Sequence, residues 1–76
     1  MKKVLTIAGS DCSGGAGIQA DLKTFSAHGV YGMSVIVSVV AENTKRVIDI
    51  QDISPNTIKN QIDAIFEDIE IGRAHV

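Results

Sequence analysis

The residues best suited to chemistry fall in one stretch, Ala8 to Phe25 (AGSDCSGGAGIQADLKTF). It gathers two carboxylates (Asp11, Asp21), two serine hydroxyls (Ser10, Ser13), one thiol (Cys12) and the glycines Gly9, Gly14, Gly15 and Gly17. Glycine permits backbone conformations and close approaches that a Cβ forbids. A helix starting directly after such a loop turns its first unpaired N–H groups, and the positive end of its dipole, back toward it. The arrangement favours anionic or hydrogen-bond-accepting ligand atoms. A P-loop would close on Gly-Lys-Ser/Thr, so that lysine reaches phosphates and the hydroxyl holds magnesium, but here Ile18 and Gln19 follow Gly17. Gly15 to Ala20 does spell the dinucleotide fingerprint G-x-G-x-x-A, with Glu42 near the distance of a ribose-binding acid. That fingerprint places its first glycine at the turn directly off the strand, whereas Gly9 to Gly14 intervene here. Dinucleotide binding is therefore an alternative and not the leading reading.

The elements that must position these groups follow from periodicity. Val4, Leu5, Ile7 and Ala8, with only Thr6 polar, form a strand buried on both faces and broken by Gly9. A helix is expected from Ala16 to His28, stopped by Gly29, with Ile18, Leu22 and Phe25 as its buried stripe and Gln19, Lys23 and Ser26 on the wetter face. Asp21 falls beside that stripe, one turn in. By spacing alone, Asp21 and Asp11 are equally ligand carboxylates or groups that cap the loop and complement the dipole. His28 suits the helix end as a structural residue.

Tyr31 to Ala41 reads as a β-branched strand with a bend at Gly32, ended by Glu42, Asn43 and Thr44. Lys45 and Arg46 form a solvated basic pair. Val47 to Ile53 alternates as a half-exposed edge strand. Ser54-Pro55 opens a second helix, with Ile58, Ile62, Ile65, Phe66 and Ile69 as its apolar stripe and Lys59, Asp63, Glu67 and Asp68 on a solvated face.

A parallel sheet covered on both faces needs more chain than 76 residues to bury its core. The single cysteine excludes an internal disulfide and a cysteine-cluster metal site, and no metal site is expected elsewhere. Cys12 reads as a small loop residue. A net charge of -2 without a basic patch argues against nucleic acid. Lys2 and Lys3 precede only a short apolar run, so neither a signal peptide nor a membrane anchor is expected, and the expected compartment is the cytoplasm.

Thr6 to Asp11, Ser13 to Phe25, Tyr31 to Val35 and Glu42-Asn43-Thr44 together resemble one family, the hydroxymethylpyrimidine/phosphomethylpyrimidine kinases of thiamine biosynthesis. The resemblance runs from about Lys3 to Ile71 and reaches the pyridoxal and pyridoxine kinases of the ribokinase-like superfamily. It implies an α/β fold, the N-terminal part of a ribokinase-like three-layer α/β/α architecture with an incomplete sheet. It also implies an ATP- and Mg2+-dependent kinase, allowing a homodimer, that phosphorylates 4-amino-5-hydroxymethyl-2-methylpyrimidine and then its monophosphate. By the same resemblance Gly9, Asp11, Ala16 and Asp21 line the pyrimidine pocket, and Glu42 stands where many members carry a glutamine that pairs with the ring. Glutamate keeps an acceptor and loses a donor, and a protonated glutamate or a different ring pose restores the match.

The family's catalytic base, glycine-rich anion hole and nucleotide pocket lie in later sequence, so no catalytic residue is expected here and the chain alone is expected to be inactive. Residues 1–71 are expected to be the first segment of the kinase domain. Gly72 to Val76 departs from the family pattern and is expected to be an atypical tail, a truncation or foreign sequence. A pyridoxal or pyridoxine kinase relative and a small non-enzymatic binding module are the other readings carried forward.

Overall fold

The computed structural model describes all 76 residues. The elements are β1 (Lys3–Asp11), α1 (Gly17–Ala27), β2 (Tyr31–Glu42), β3 (Val47–Asp52), α2 (Pro55–Asp68) and β4 (Arg73–His75). One sheet has the order β3-β2-β1-β4, with β1, β2 and β4 parallel and β3 antiparallel to β2. The chain leaves β1 through α1 to reach β2 on one side, then crosses by α2 to β4 on the other. The carboxyl end of β1 is thus a topological switch point, where open α/β sheets form their ligand crevice.

Alternate strand residues face opposite layers. Leu5, Met33 and Val35 form the core on one face, with Ile7, with Ile58, Ile62 and Ile65 of α2, and with Ile69 just after that helix packed against them. On the other face Thr6 meets α1 through Asp21. Gly32 was expected at a bend, but it lies inside β2, where a Cβ would come within 3.0 Å of both Leu22 and Phe25. Its missing side chain lets α1 approach the sheet. Gln61 of α2 reaches the margin of β2, its amide accepting from Ile36 N–H and donating to Ile36 C=O, each at 2.9 Å.

Gly9 does not break β1. The strand continues to Asp11, and the register with β2 slips between Ala8 and Ser10 as their partners advance from Ile36 to Val39. This bulge carries Ser38 over Gly9, where a Cβ would stand 2.7 Å from Ser38 Oγ. Gly17, at φ +62°, opens α1 where a Cβ would strike the Gly9 carbonyl. At the other end the expected stop holds. Gly29 is left-handed, its N–H donates to Ser26 C=O and Val30 N–H donates to Phe25 C=O, the paired bonds of a Schellman motif.

Ser54 caps α2 by accepting from Thr57 N–H at 3.2 Å, with Pro55 in the first turn. Phe66, expected in the apolar stripe, is 59% exposed. It sits about 100° round the helix from Ile65, on a face against which nothing packs. β3, expected to be half-exposed, is exposed along its whole length because neither helix lies over it. Arg73–His75, expected as an atypical tail, pairs with Val4–Thr6 as a short parallel strand. No helix is long and apolar enough to cross a membrane.

Candidate functional site

The bulge delivers Asp11 to the last position of β1, where it is 5% exposed. Its Oδ1 accepts from Ser13 N–H at 2.9 Å and Ser13 Oγ at 2.7 Å, and its Oδ2 accepts from Gly15 N–H at 3.1 Å. The Ser13 hydroxyl, joined by the N–H groups of Ser13 and Ala16, outweighs desolvation and holds this carboxyl below the ordinary aspartate range. The loop donors expected to receive a ligand anion are therefore engaged by the chain's own carboxylate.

Two contacts that residue spacing did not reveal fix the frame. Gln19, expected on the wetter face of α1, accepts from Asp11 N–H at 2.9 Å and donates to Ser10 Oγ at 2.8 Å. It stitches the first turn of α1 to the end of β1. The exposed Cys12 donates from Sγ to Glu42 C=O at 3.1 Å and accepts from Glu42 N–H at 3.4 Å, tying the loop to the last residue of β2. A glutamine in the first turn and a cysteine in the loop were visible in the sequence, but their partners were not.

The half-buried Glu42 turns its carboxyl toward Asp11. Desolvation, then the Asp11 charge, then the hydrogen bond between the two carboxyls push it above the ordinary glutamate range. On the outer side of the loop, Lys23 Nζ donates to Gly14 C=O at 3.0 Å. The structure thus brings Asp11, Ala16 and Glu42 together. Gly9 lies at the bulge, close to Ser38 and Gly17. Asp21 stands one turn into α1, where Oδ2 accepts from the wholly buried Thr6 hydroxyl at 2.6 Å and Oδ1 has no protein partner.

The residues present do not fit a magnesium nucleotide. The loop's N–H groups are occupied by Asp11, a second carboxyl faces the first, and no three acidic, histidine or cysteine side chains converge as a metal site. They fit a small neutral ligand with its own donors. The larger concavity of the molecule, about 390 Å³, lies instead at the amino end of β1, between Lys2, Lys3, Val4, Gly72 and Arg73. The switch point argues for the other end as the place of chemistry.

The chain has the ribokinase-like fold of the vitamin kinases, and solved structures of that class match it. A phosphomethylpyrimidine kinase from Clostridium difficile is 59% identical with a TM-score of 0.94, covering 97% of this chain and 32% of its own. An ADP complex of Bacillus subtilis pyridoxal kinase is 44% identical with a TM-score of 0.88, covering 97% and 28%. The family model for phosphomethylpyrimidine kinase matches residues 11–76, and the chain belongs to that family. The hydroxymethylpyrimidine/phosphomethylpyrimidine kinase of Escherichia coli is 56% identical over 78 residues, which take in all of this chain and 29% of the relative. The chain spans about a third or less of the length of these relatives.

Proposed function

We propose that this chain supplies the acceptor-binding side of an ATP- and magnesium-dependent kinase that phosphorylates 4-amino-5-hydroxymethyl-2-methylpyrimidine and then its monophosphate, in the cytoplasm and without a nucleic-acid or membrane partner. The observation that carries the reading is the family match over residues 11–76, which includes Asp11, Ala16, Asp21 and Glu42, three of them gathered at the carboxyl end of β1.

Phosphoryl transfer depends on holding the acceptor oxygen in line with the phosphoryl donor while charge is stabilised around it. ATP with magnesium supplies the phosphoryl group and that neutralisation, from residues other than these. The part of this chain is to hold the ring. By the family resemblance Gly9 and Ala16 line the pocket, Asp21 Oδ1 offers a free acceptor, and Glu42 presents its carboxyl to the ring edge.

The 44% identity to a pyridoxal kinase supports a second reading, in which vitamin B6 is the acceptor. Calorimetric titration of the chain with hydroxymethylpyrimidine and with pyridoxal, run beside an assay for ADP, separates the readings. The expected result is saturable binding of the pyrimidine, weaker binding of pyridoxal and no ADP. Preference for pyridoxal would transfer the assignment to vitamin B6, and pyrimidine-dependent ADP production by the 76-residue chain would overturn the restriction to acceptor binding.

A further inference from the structure

Val4, Leu5, Thr6, Ile7 and Ala8 make the middle of β1 an apolar run interrupted by a single hydroxyl. Packing does not call for that hydroxyl, because valine fills nearly the same space. Thr6 is wholly buried, and a buried hydroxyl without a partner is costly. Its lateral neighbour in β2 is Ser34, yet the hydroxyl turns across the layers to α1 and donates to Asp21 Oδ2 at 2.6 Å. A hydroxyl bonded to a carboxylate at that length belongs among the stronger hydrogen bonds of proteins.

The carboxylates of Asp11 and Asp21 are held in different ways. Asp11 accepts from the Ser13 N–H, the Ser13 hydroxyl and the Gly15 N–H, and both of its oxygens are engaged. Asp21 accepts from Thr6 alone, on one oxygen. No cation pairs with it, since the one ion pair of the chain joins Lys59 to Asp63 on α2. An aspartate on a helix is otherwise free to swing about χ1 and χ2, whereas Thr6 is β-branched, rooted in the sheet and stiff at χ1. The hydroxyl therefore fixes Asp21 without consuming its charge or its second oxygen.

We propose that Thr6 is a positioning residue of the acceptor site, whose hydroxyl anchors Asp21 Oδ2 so that Oδ1 is held ready for an N–H or O–H donor of the heterocycle. Being wholly buried, Thr6 touches no ligand itself. It acts on affinity by removing in advance the rotamer freedom that Asp21 would otherwise lose on binding. The inference rests on the pyrimidine-binding reading above and adds to it a residue one layer behind the pocket.

The test titrates the unaltered chain, Thr6→Val and Thr6→Ser with hydroxymethylpyrimidine by calorimetry. Thr6→Val keeps the volume and loses the hydroxyl, while Thr6→Ser keeps the hydroxyl and loses the methyl. A role in packing alone predicts that the serine variant suffers and the valine variant does not. Anchoring predicts the reverse. Thr6→Val should bind about tenfold more weakly, and Thr6→Ser within about twofold of the unaltered chain. Unchanged binding by Thr6→Val, or a loss in Thr6→Ser as large as that in Thr6→Val, would overturn the proposal and leave the pyrimidine reading standing. Absence of binding by the unaltered chain would overturn both. NMR of the unaltered chain decides the matter even where the valine variant does not fold. The Thr6 hydroxyl proton should exchange with water slowly enough to give its own resonance, and the Asp21 side-chain carboxyl 13C resonance should move as the pyrimidine binds. A hydroxyl proton lost to fast exchange, or saturable binding that leaves the Asp21 resonance in place, overturns the proposal.

Discussion

At the carboxyl end of β1 the polar groups partner one another across three elements, whereas along β3 apolar side chains face water without partners. Asp11, Gln19, Ser13 and Cys12 join β1, α1 and β2 through hydrogen bonds of 2.7 to 3.4 Å. Val47, Ile48 and Ile50 are all more than half exposed, as is Phe66 on α2. The contrast shows what each region requires. The loop closes on itself through local polar contacts, while β3 and the outer face of α2 would need further packing to bury their apolar atoms, and six of 76 residues are buried altogether. Order at the site therefore comes more from its hydrogen bonds than from the depth of the core.

The sharpest way to break this comparison is to cut into the little core there is. Leu5→Ala removes a fully buried side chain and should cost about 2–5 kcal/mol, enough to abolish cooperative urea unfolding. Ile50→Ala on the exposed edge should change stability by no more than about 0.5 kcal/mol. Equal losses would mean that β3 is covered in solution. Next comes the backbone at the loop. Gly17→Ala meets both a left-handed φ and the Gly9 carbonyl, and should cost about 1–3 kcal/mol. Gly29→Ala meets only the φ, with open space around it, and should cost about 1 kcal/mol. The order of the two urea midpoints checks this.

A smaller effect is expected at the cap of α2, where Ser54→Ala removes the bond to Thr57 and should cost about 1 kcal/mol, read by the same unfolding curve. The pH dependence of stability sharpens the comparison last. Asp11, depressed in the folded state, contributes stability that is present above its unfolded titration and lost as pH falls through its folded one. Glu42, raised in the folded state, contributes stability that is present below its unfolded titration and lost as pH rises through its folded one. Stability should therefore decline on both sides of an optimum between the two folded values, and D11N should flatten both limbs.

What could be read in the sequence was what depends on neighbours along the chain. The bounds of α1, the stop at Gly29 and the Ser54-Pro55 start are set by local backbone rules, and the structure places them within a residue of expectation. Gly9 was read as a break and Gly32 as a bend because their reason lies across the sheet, in Ser38 and in Leu22 and Phe25. Phe66 fitted an apolar stripe by composition, but the sheet meets the face marked by Ile58, Ile62 and Ile65. At the site, Asp11 and Glu42 were legible as carboxylates. That Asp11 consumes the loop's donors and faces Glu42 depends on the bulge that sets its register, which no spacing rule encodes.

The measurement that bears most directly on the account is a backbone amide chemical-shift map of the chain, taken with and without hydroxymethylpyrimidine. The account predicts shifts confined to Gly9 through Asp21 and to Glu42, at the carboxyl end of β1. Shifts centred on Lys2 to Val4 and Gly72, around the larger concavity at the opposite end, would contradict it.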